Sequence, residues 1–159
     1  MKVPKYDDAH LFFGGILGTA NQLQVMGDGL FDEITMKQWF VLAILEVFKE
    51  EAPTLKELAE EVGSSHQNVK QLALKLQEKG YVEMFQDLED KRKIRIQSTG
   101  KWQQTEVKYQ EAEEKMLAKL FNGISEEDLR KAVEVLIRMR ENMEEMKSNE
   151  SESGSCLSF

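Results

Sequence analysis

The chain has 159 residues, of which 41% are apolar and 31% are charged, and its formal net charge is −8. This length is enough for one domain with a real core, and the composition is typical of a soluble, helix-rich protein. The one cysteine, Cys156, excludes an internal disulfide and favours a reducing cytoplasm. The most apolar run, residues 9–20, is too short to span a bilayer and lacks the basic flank of a signal peptide, which argues against a membrane partner.

Two apolar helices are predicted before Pro53. Residues 8–24 form the first, and its apolar residues fall roughly on one side: Leu11, Phe12, Ile16, Ala20 and Leu23. Thr35 and Gln38 form a capping box at the start of the second helix, whose sequence MKQWFVLAILEVF is apolar nearly all round. A helix of that kind is expected to be central and buried. Pro53 then breaks the chain before the next helical pattern.

Residues 54–80 have the pattern of a helix, a turn and a second helix. Thr54 and Glu57 form another capping box, and the apolar residues that follow recur at i, i+3, i+4 and i+7. Gly63 stands where the first helix must stop, Ser65 is a good N-cap for the second, and Gly80 ends it. This order is typical of a helix-turn-helix, which lays one helix in a DNA groove.

The second of these helices has a polar face suited to DNA recognition. Its amide and hydroxyl side chains are of the kind that read base edges, and its lysines suit phosphates. The candidate DNA contacts in this segment are Ser65, His66, Gln67, Asn68, Lys70, Gln71 and Lys75. The alternative is an ordinary solvated helix face, because many small helical domains share the pattern.

A two-stranded hairpin, or wing, is predicted after Gly80. Residues 81–87 and 92–97 are strand-like and are joined by a polar tip at residues 88–91. Apolar and cationic residues alternate along the second strand, and the tip itself is basic. The candidate DNA contacts in the wing are Lys91, Arg92, Lys93 and Arg95. Such a tip suits a minor groove or a phosphate backbone, whereas the alternative is an edge strand kept soluble by its cations.

Two further helices are predicted after the wing. Residues 101–121 form one, which Asn122 and Gly123 break. Ser125 and Asp128 cap the last helix, whose apolar residues alternate steps of three and four: Leu129, Ala132, Leu136, Met139, Met143 and Met146. A stripe of this kind needs a partner surface, either in a second copy or within the same chain. Residues 148–159 are polar and serine-rich, which is typical of a disordered tail.

Residues 30–105 also share the residue pattern of one family of regulators. The matching positions are Thr35, Gln38, Trp39, Val41, Leu42, Thr54, Glu57, Leu58, Ala59, Gly63, Ser65, Asn68, Val69, Leu72, Leu76, Lys79, Gly80, Tyr81, Val82, Asp90, Arg92 and Gly100. On these residues the chain resembles the MarR (multiple antibiotic resistance regulator) family of winged helix-turn-helix transcription regulators. Asp90 and Arg92 match the family's D-x-R motif at the wing, whereas Gln71 stands where the family often has an arginine.

The resemblance implies a homodimeric, cytoplasmic DNA-binding regulator, expected to be a repressor that a small-molecule effector releases. The DNA would be double-stranded and would carry an inverted-repeat operator. The effector would be a small aromatic or amphipathic compound, bound in a crevice between the dimer helices and the DNA-binding lobe. Five aromatic residues are candidates for lining that crevice, and each fits plain core at least as well: Phe12, Phe13, Trp39, Trp102 and Tyr109.

The expected fold is mainly α with a small β-hairpin: a winged helix-turn-helix lobe and long helices that form a dimerisation lobe. The expected division is residues 1–30, an N-terminal dimerisation helix; 31–99, the DNA-binding lobe; 100–147, C-terminal dimerisation helices; and 148–159, a disordered tail. The net charge of −8 is unusual for a DNA-binding protein. Residues 64–101 nevertheless carry eight Lys or Arg and five Asp or Glu, so the acidic excess lies in the flanks.

Nothing in the sequence favours an enzyme. His10 and His66 are the only histidines, and no motif has the spacing of a metal site, a P-loop or a dinucleotide fingerprint. We therefore expect no catalytic residue, no metal and no cofactor, and Cys156 is expected to be an ordinary free thiol. The remaining alternative is a winged-helix module that binds another protein without binding DNA.

Overall fold

The computed structural model describes residues 6–48 and 51–153. Six helices and one two-stranded antiparallel sheet occupy these residues, which confirms the expected fold class. In chain order they are α1 Asp8–Gly27, α2 Met36–Leu45, α3 Leu55–Val62, α4 His66–Glu78, β1 Val82–Gln86, β2 Ile94–Ser98, α5 Gly100–Leu120 and α6 Glu126–Ser153. The chain divides into two compact units, residues 1–115 and 116–159. No helix in the described ranges is long and apolar enough to cross a membrane.

The predicted helix boundaries at α2 and α3 rest on capping boxes that form as expected. At α3 the Thr54 N–H donates to Glu57 Oε2 at 2.7 Å, and the Glu57 N–H donates to Thr54 Oγ1 at 3.2 Å. Thr35 and Gln38 make the same reciprocal pair at α2. These contacts satisfy amide groups that have no partner inside the helix. α2 nevertheless ends at Leu45, so the predicted continuation toward Phe48 is too long.

Two glycines end the helices of the helix-turn-helix. Gly63 has φ +70°, its N–H donates to the Glu60 carbonyl, and the Ser64 N–H donates to the Ala59 carbonyl at 3.0 Å. Gly80 has φ +77° and makes the equivalent bonds after α4, with the next N–H, that of Tyr81, donating to the Leu76 carbonyl. Both are Schellman turns, which need a left-handed residue that glycine adopts without strain.

The core of the first unit lies between α2, α3, α4, the hairpin and α5. Its fully buried side chains come from each of these elements: Val41, Leu42, Leu58, Val69, Leu76, Tyr81, Val82, Ile96 and Trp102. α4 therefore presents one apolar stripe inward and leaves its other faces to solvent, as the sequence pattern predicts.

The hairpin is shorter than predicted and is anchored to the start of α3. β1 pairs with β2 in register from Val82 opposite Ser98 to Gln86 opposite Ile94. Arg92 and Lys93 thus belong to the tip and not to the second strand. The Ile96 N–H donates to the Pro53 carbonyl at 3.0 Å, and Thr54 forms an isolated bridge with Arg95. The segment before α3 therefore lies alongside β2 and fixes the base of the wing.

α6 fills most of the second unit. The Asp128 N–H donates to Ser125 Oγ at 3.1 Å, which is the predicted cap. The helix continues to Ser153, so residues 148–153 are helical where a disordered tail was expected, and Ser148 Oγ donates to the Glu144 carbonyl at 3.0 Å. The rest of that expected tail, residues 154–159, lies outside the described residues.

Candidate nucleic-acid interface

The first turn of α4 is fixed by two serines. Ser65 caps the helix, its Oγ accepting from the Asn68 N–H at 3.2 Å. The Asn68 side-chain Nδ2 donates to Ser64 Oγ at 2.8 Å, which restrains the amide. One Nδ2 hydrogen and the amide oxygen remain for other partners, since a carboxamide has two N–H donors. Hydrogen bonds therefore fix the start of the candidate recognition helix, and they restrain Asn68, one of the side chains predicted to contact DNA.

The predicted polar face of α4 is exposed along its whole length. Its exposed residues include six of those predicted from sequence: His66, Gln67, Asn68, Lys70, Gln71 and Lys75. Within residues 6–48 and 51–153, the structure gives no hydrogen bond or ion pair to the side chains of Lys70, Gln71 or Lys75. Their donors and acceptors remain available to an external partner. Ser65, the seventh predicted residue on this face, is exposed as well.

One carboxylate organises the wing tip. Asp87 is buried, and its Oδ1 accepts the N–H groups of Glu89 and Asp90 at 2.9 and 2.8 Å. The Asp90 N–H and then the Arg95 guanidinium, which donates to Asp87 Oδ2, lower the pKa of Asp87 to about 2. The carboxylate is therefore ionised at neutral pH, and the turn that follows it has a defined shape.

Asp90 and Arg92 form the pair that the D-x-R spacing predicts. Arg92 Nε lies 3.0 Å from Asp90 Oδ1, and Nη2 lies 3.3 Å from Oδ2. The arginine side chain is still 91% exposed. Its hydrogen bonds hold the pKa of Asp90 below the usual value. The two-bond geometry orients the guanidinium at the tip while leaving further N–H donors free for a phosphate.

Arg95 is placed differently from the other predicted wing contacts. Its side chain is only 21% exposed, and Nη1 lies 3.0 Å from Glu51 Oε1. The same guanidinium donates to Asp87 and to the Ala52 carbonyl. Arg95 thus joins the wing to the segment before α3, and its Nε and Nη1 donors are used inside the protein. Lys91, Arg92 and Lys93, by contrast, are all exposed.

A groove of about 600 Å³ separates α4 from the wing. Four cations line it, two of them from the wing and one each from α3 and α4: Lys56, Lys70, Arg92 and Lys93. His66 also lies on its wall. Lys56 was not among the residues predicted from sequence, because only the fold brings the start of α3 to this face. Glu57 and Glu60 also line the groove, and Lys56 Nζ lies 4.0 Å from Glu60 Oε1, so the four cations exceed the carboxylates by two where a phosphate backbone could pass.

The five predicted effector residues do not form one cluster. Phe12 and Phe13 on α1 are exposed, and Trp102 is buried with its ring centroid 6.2 Å from that of Tyr81. Phe31, which the sequence reasoning missed, brings the other two together. The Phe31 ring stacks on that of Trp39, with 5.7 Å between the ring centroids. It contacts the Tyr109 ring edge-on, with 5.0 Å between the centroids. The buried Trp102 Nε1 and Tyr109 hydroxyl have no hydrogen-bond partner within the described residues.

Side-chain hydrogen bonds from residues earlier and later in the chain hold the turn that follows α4. Tyr81 donates its hydroxyl to Glu33, and burial, followed by this bond, raises the pKa of Tyr81 to about 12. Thr99 Oγ1 donates to the Gly80 carbonyl at 2.6 Å, and Lys101 Nζ donates to the Lys79 carbonyl at 2.6 Å. These contacts supply the acceptors at the helix end with partners from distant segments.

Comparison with known proteins agrees with this geometry. Residues 34–94 match the family model described as the MarR family, which confirms the resemblance read from the sequence. No curated protein matches the chain. Among solved structures, a MarR/EmrR family regulator from Acinetobacter sp. ADP1 is 19% identical, with a TM-score of 0.75 over 88% of this chain and 99% of that one.

Two further similar proteins were solved as complexes, one with DNA and one with a ligand. FabT from Streptococcus pneumoniae, solved in complex with DNA, is 20% identical, with a TM-score of 0.58 over 87% of this chain and 99% of that one. The PcaV regulator from Streptomyces coelicolor, solved with its natural ligand, is 15% identical, with a TM-score of 0.68 over 87% of this chain and 98% of that one. At these identities the likeness establishes the fold.

Proposed function

Because residues 34–94 of this chain match the MarR family model and fold as a winged helix, we propose that the protein is a homodimeric, sequence-specific DNA-binding transcription regulator. In this proposal it is a repressor that a small-molecule effector releases, and it is not an enzyme. The observation that carries the proposal is the continuous polar and cationic surface made by the exposed face of α4, the groove beside it and the wing tip.

In the proposed complex α4 lies in the major groove of double-stranded DNA. Asn68 and Gln71 read base edges, because a side-chain amide can pair with an adenine through two hydrogen bonds. Lys56, Lys70 and Arg92 neutralise phosphates, which fixes the position of the helix without reading sequence. Arg95 is left out of this set, since its donors are already engaged with Asp87, Glu51 and Ala52.

A second copy of the chain is proposed to cover apolar surface that each unit exposes. In the first unit α1 exposes Leu11, Phe12, Phe13 and Leu17. In the second, every described side chain of α6 is exposed except Leu129 and Met139, which are half-buried, and the exposed ones include Leu136, Met143 and Met146. Contiguous apolar surface on soluble proteins marks an interaction site. A twofold dimer would present two α4 helices to an inverted-repeat operator, with half-sites about 10 bp apart.

The effector is proposed to be a small aromatic or amphipathic compound. The support is chemical: aromatic rings lie together at Phe31, Trp39 and Tyr109, and two buried donors, Trp102 Nε1 and the Tyr109 hydroxyl, have no hydrogen-bond partner in the part of the chain that the structure describes. Rings of this kind stack on aromatic ligands, and a buried donor without a partner is costly until something accepts from it. The solved PcaV complex shows that a protein of this fold can hold a ligand.

Fluorescence anisotropy on a duplex that the wild-type protein selects from a random-core library tests the DNA proposal. Binding driven by phosphate contacts should weaken as salt is added. The logarithm of the binding constant should fall against the logarithm of the salt concentration with a slope of about −0.9 per phosphate neutralised. Arg92→Ala should weaken binding to all DNA sequences and make that slope shallower by about 0.9, the contribution of one phosphate contact. Asn68→Ala or Gln71→Ala should instead relax the preference at one base position, costing about 1–3 kcal/mol there.

Lys131→Ala is the matched control, because Lys131 is an exposed cation on α6, paired with Glu127 at 2.6 Å and remote from the winged-helix domain in sequence. It should leave the salt slope unchanged. A protein that selects no duplex, or that binds with an affinity independent of salt, would contradict the proposal and favour a winged-helix module that binds another protein.

A further inference from the structure

The wing tip carries one apolar side chain in a charged setting. Residues 87–93 read D-L-E-D-K-R-K, so Leu88 is the only residue of the seven without a charged side chain. It is 94% exposed, the highest value among the large apolar side chains of the described residues. Tight turns are usually built from glycine, proline and short polar residues, so turn formation does not account for a leucine at this position.

The backbone on both sides of Leu88 is held in place. The preceding residue, Asp87, is buried and accepts the N–H groups of Glu89 and Asp90 through Oδ1. The Asp87 N–H donates to the Lys93 carbonyl at 3.0 Å, and the Lys93 N–H donates to the Asp90 carbonyl at 2.8 Å. Leu88 is therefore presented by a closed, hydrogen-bonded turn, so little backbone entropy would be lost if it were buried by a partner.

The tip lies beside the start of α4, because Arg92 and Lys93 line the same groove as His66 and Lys70. Each strand of the wing has five residues, and a strand rises about 3.3 Å per residue, so the hairpin reaches on the order of 17 Å beyond its base. With α4 in a major groove roughly 12 Å wide, a wing tip on this side would meet the bordering phosphate row and, beyond it, the adjacent minor groove. Lys91 and Arg92 belong to the tip and are exposed, so they could contact those phosphates.

We propose that Leu88 is an apolar minor-groove contact, which packs against the deoxyribose walls of DNA when α4 occupies the major groove. The inference rests on the proposed DNA-binding function and adds to it a component of affinity that does not depend on counterion release. Some minor-groove proteins insert leucine and similar side chains between base steps, and packing against the sugar walls is a shallower apolar contact in the same groove. Isolated apolar side chains on a surface are common, but here the side chain projects from an ordered turn, and three exposed cations, Lys91, Arg92 and Lys93, follow the acidic residues Glu89 and Asp90.

The test compares Leu88→Ala and Leu88→Met with wild type on the duplex selected by the wild-type protein. Leu88→Ala should bind roughly tenfold more weakly at every salt concentration, since a leucine-sized apolar burial is lost, and its log–log salt slope should equal that of wild type. Leu88→Met keeps a side chain of similar volume and should recover most of the affinity. Hydroxyl-radical footprinting, which attacks deoxyribose from the minor groove, should lose the protection beside each half-site in Leu88→Ala and regain it in Leu88→Met.

Val47→Ala is the matched control, because Val47 is also a strongly exposed apolar residue, at 69%, but lies between α2 and α3. It should leave affinity and footprint unchanged. If Leu88→Ala matches wild type in affinity and in sugar protection, the inference is wrong while DNA binding stands. A steeper or shallower salt slope in Leu88→Ala would also overturn it, since the effect would then be electrostatic. If the wild-type protein selects no duplex, the proposed function fails as well.

Discussion

At the scale of single residues, Asp87 has more influence on the wing than any of the exposed lysines. It accepts two backbone N–H groups at the tip and the guanidinium of Arg95, which in turn contacts Glu51 and Ala52 before α3. One buried carboxylate thus connects the tip of the hairpin to the body of the domain. Its contribution is positional: it touches no candidate base or phosphate, but it sets where Leu88 and Arg92 point.

Asp87→Asn should lower the melting temperature at neutral pH, by on the order of 5 °C, because an amide cannot pair with Arg95 as a carboxylate does. The pKa of Asp87 is about 2 in the folded protein, below its usual value of 3.8. Stability from this group is therefore present above about pH 4 and is lost as the pH falls toward 2. The difference in melting temperature between wild type and Asp87→Asn should shrink over that window.

Thermal melts followed by circular dichroism between pH 7 and pH 2.5 measure this difference. Glu89→Gln, a neighbouring substitution at an exposed position of the same turn, serves as the control and should melt with the wild type at pH 7. A gap between wild type and Asp87→Asn that stays constant down to pH 2.5 would show that the ionised carboxylate is not what stabilises the wing.

At the scale of elements, the turn between α3 and α4 sets how the recognition helix leaves its neighbour. Gly63 makes this turn with φ +70° and with two hydrogen bonds back to α3. A Cβ built at this position meets no atom within 4 Å. The requirement for glycine here is therefore conformational and not steric.

Gly63→Ala should destabilise the protein by about 1 kcal/mol, because an L-residue in the left-handed region is strained. Urea unfolding measures the loss as a lower midpoint with an unchanged slope. Gly100→Ala is the matched control: position 100 is also open, but it is the first residue of α5 and has no positive φ. That variant should be neutral or slightly stabilising. Equal losses in the two variants would mean that the turn carries no special strain.

Sequence reasoning succeeded at this scale where the determining contacts are local. The capping boxes at Thr35 and Thr54, the Ser65 cap and the Asp90–Arg92 pair all join residues two or three positions apart, so spacing alone predicts them. Contacts over longer separations were missed. Arg95 pairs with Asp87 and Glu51, and alternation along a strand cannot distinguish such a buried cation from a solvated one.

The same limit explains the aromatic residues and the helix ends. Phe31 joins Trp39 to Tyr109 only because the fold brings three separate segments together. α2 stops earlier than its apolar pattern suggests and α6 continues further, since periodicity reports which face is apolar and not where a helix ends. The exposure of the candidate contacts on α4 was predictable because they lie on one polar side of a helix, whereas the position of Lys56 was not, because the start of α3 meets that side only in the fold.

At the scale of the whole molecule, we expect two copies of the chain to form a dimer. The intact chain should sediment at about twice its mass of 18.3 kDa at micromolar concentration. Leu136→Arg should yield monomer or aggregate, because Leu136 lies on the apolar stripe of α6 and a buried, unpaired charge is costly. Ile137→Arg is the matched control: Ile137 is similarly exposed, at 52% against 44%, but lies off that stripe and should leave the dimer intact.

Sedimentation of both arginine variants, and of a chain ending at residue 124, tests whether α6 forms the dimer interface. Removal of α6 should give aggregates or unfolded monomer if a second copy covers its apolar stripe. Intact protein that sediments as a monomer, or two arginine variants that behave alike, would exclude α6 as the interface.

The way α4 ends has a consequence for attempts to transplant its specificity. The two carbonyls just beyond the helix, those of Lys79 and Gly80, accept from Lys101 Nζ and from Thr99 Oγ1. α4 has only 13 residues, and helices of fewer than about 12–15 residues are marginal in water on their own. A synthetic peptide of its sequence would lose those partners and fray where Lys75 lies. Grafting the recognition surface onto another scaffold would therefore require the start of α5 to travel with it.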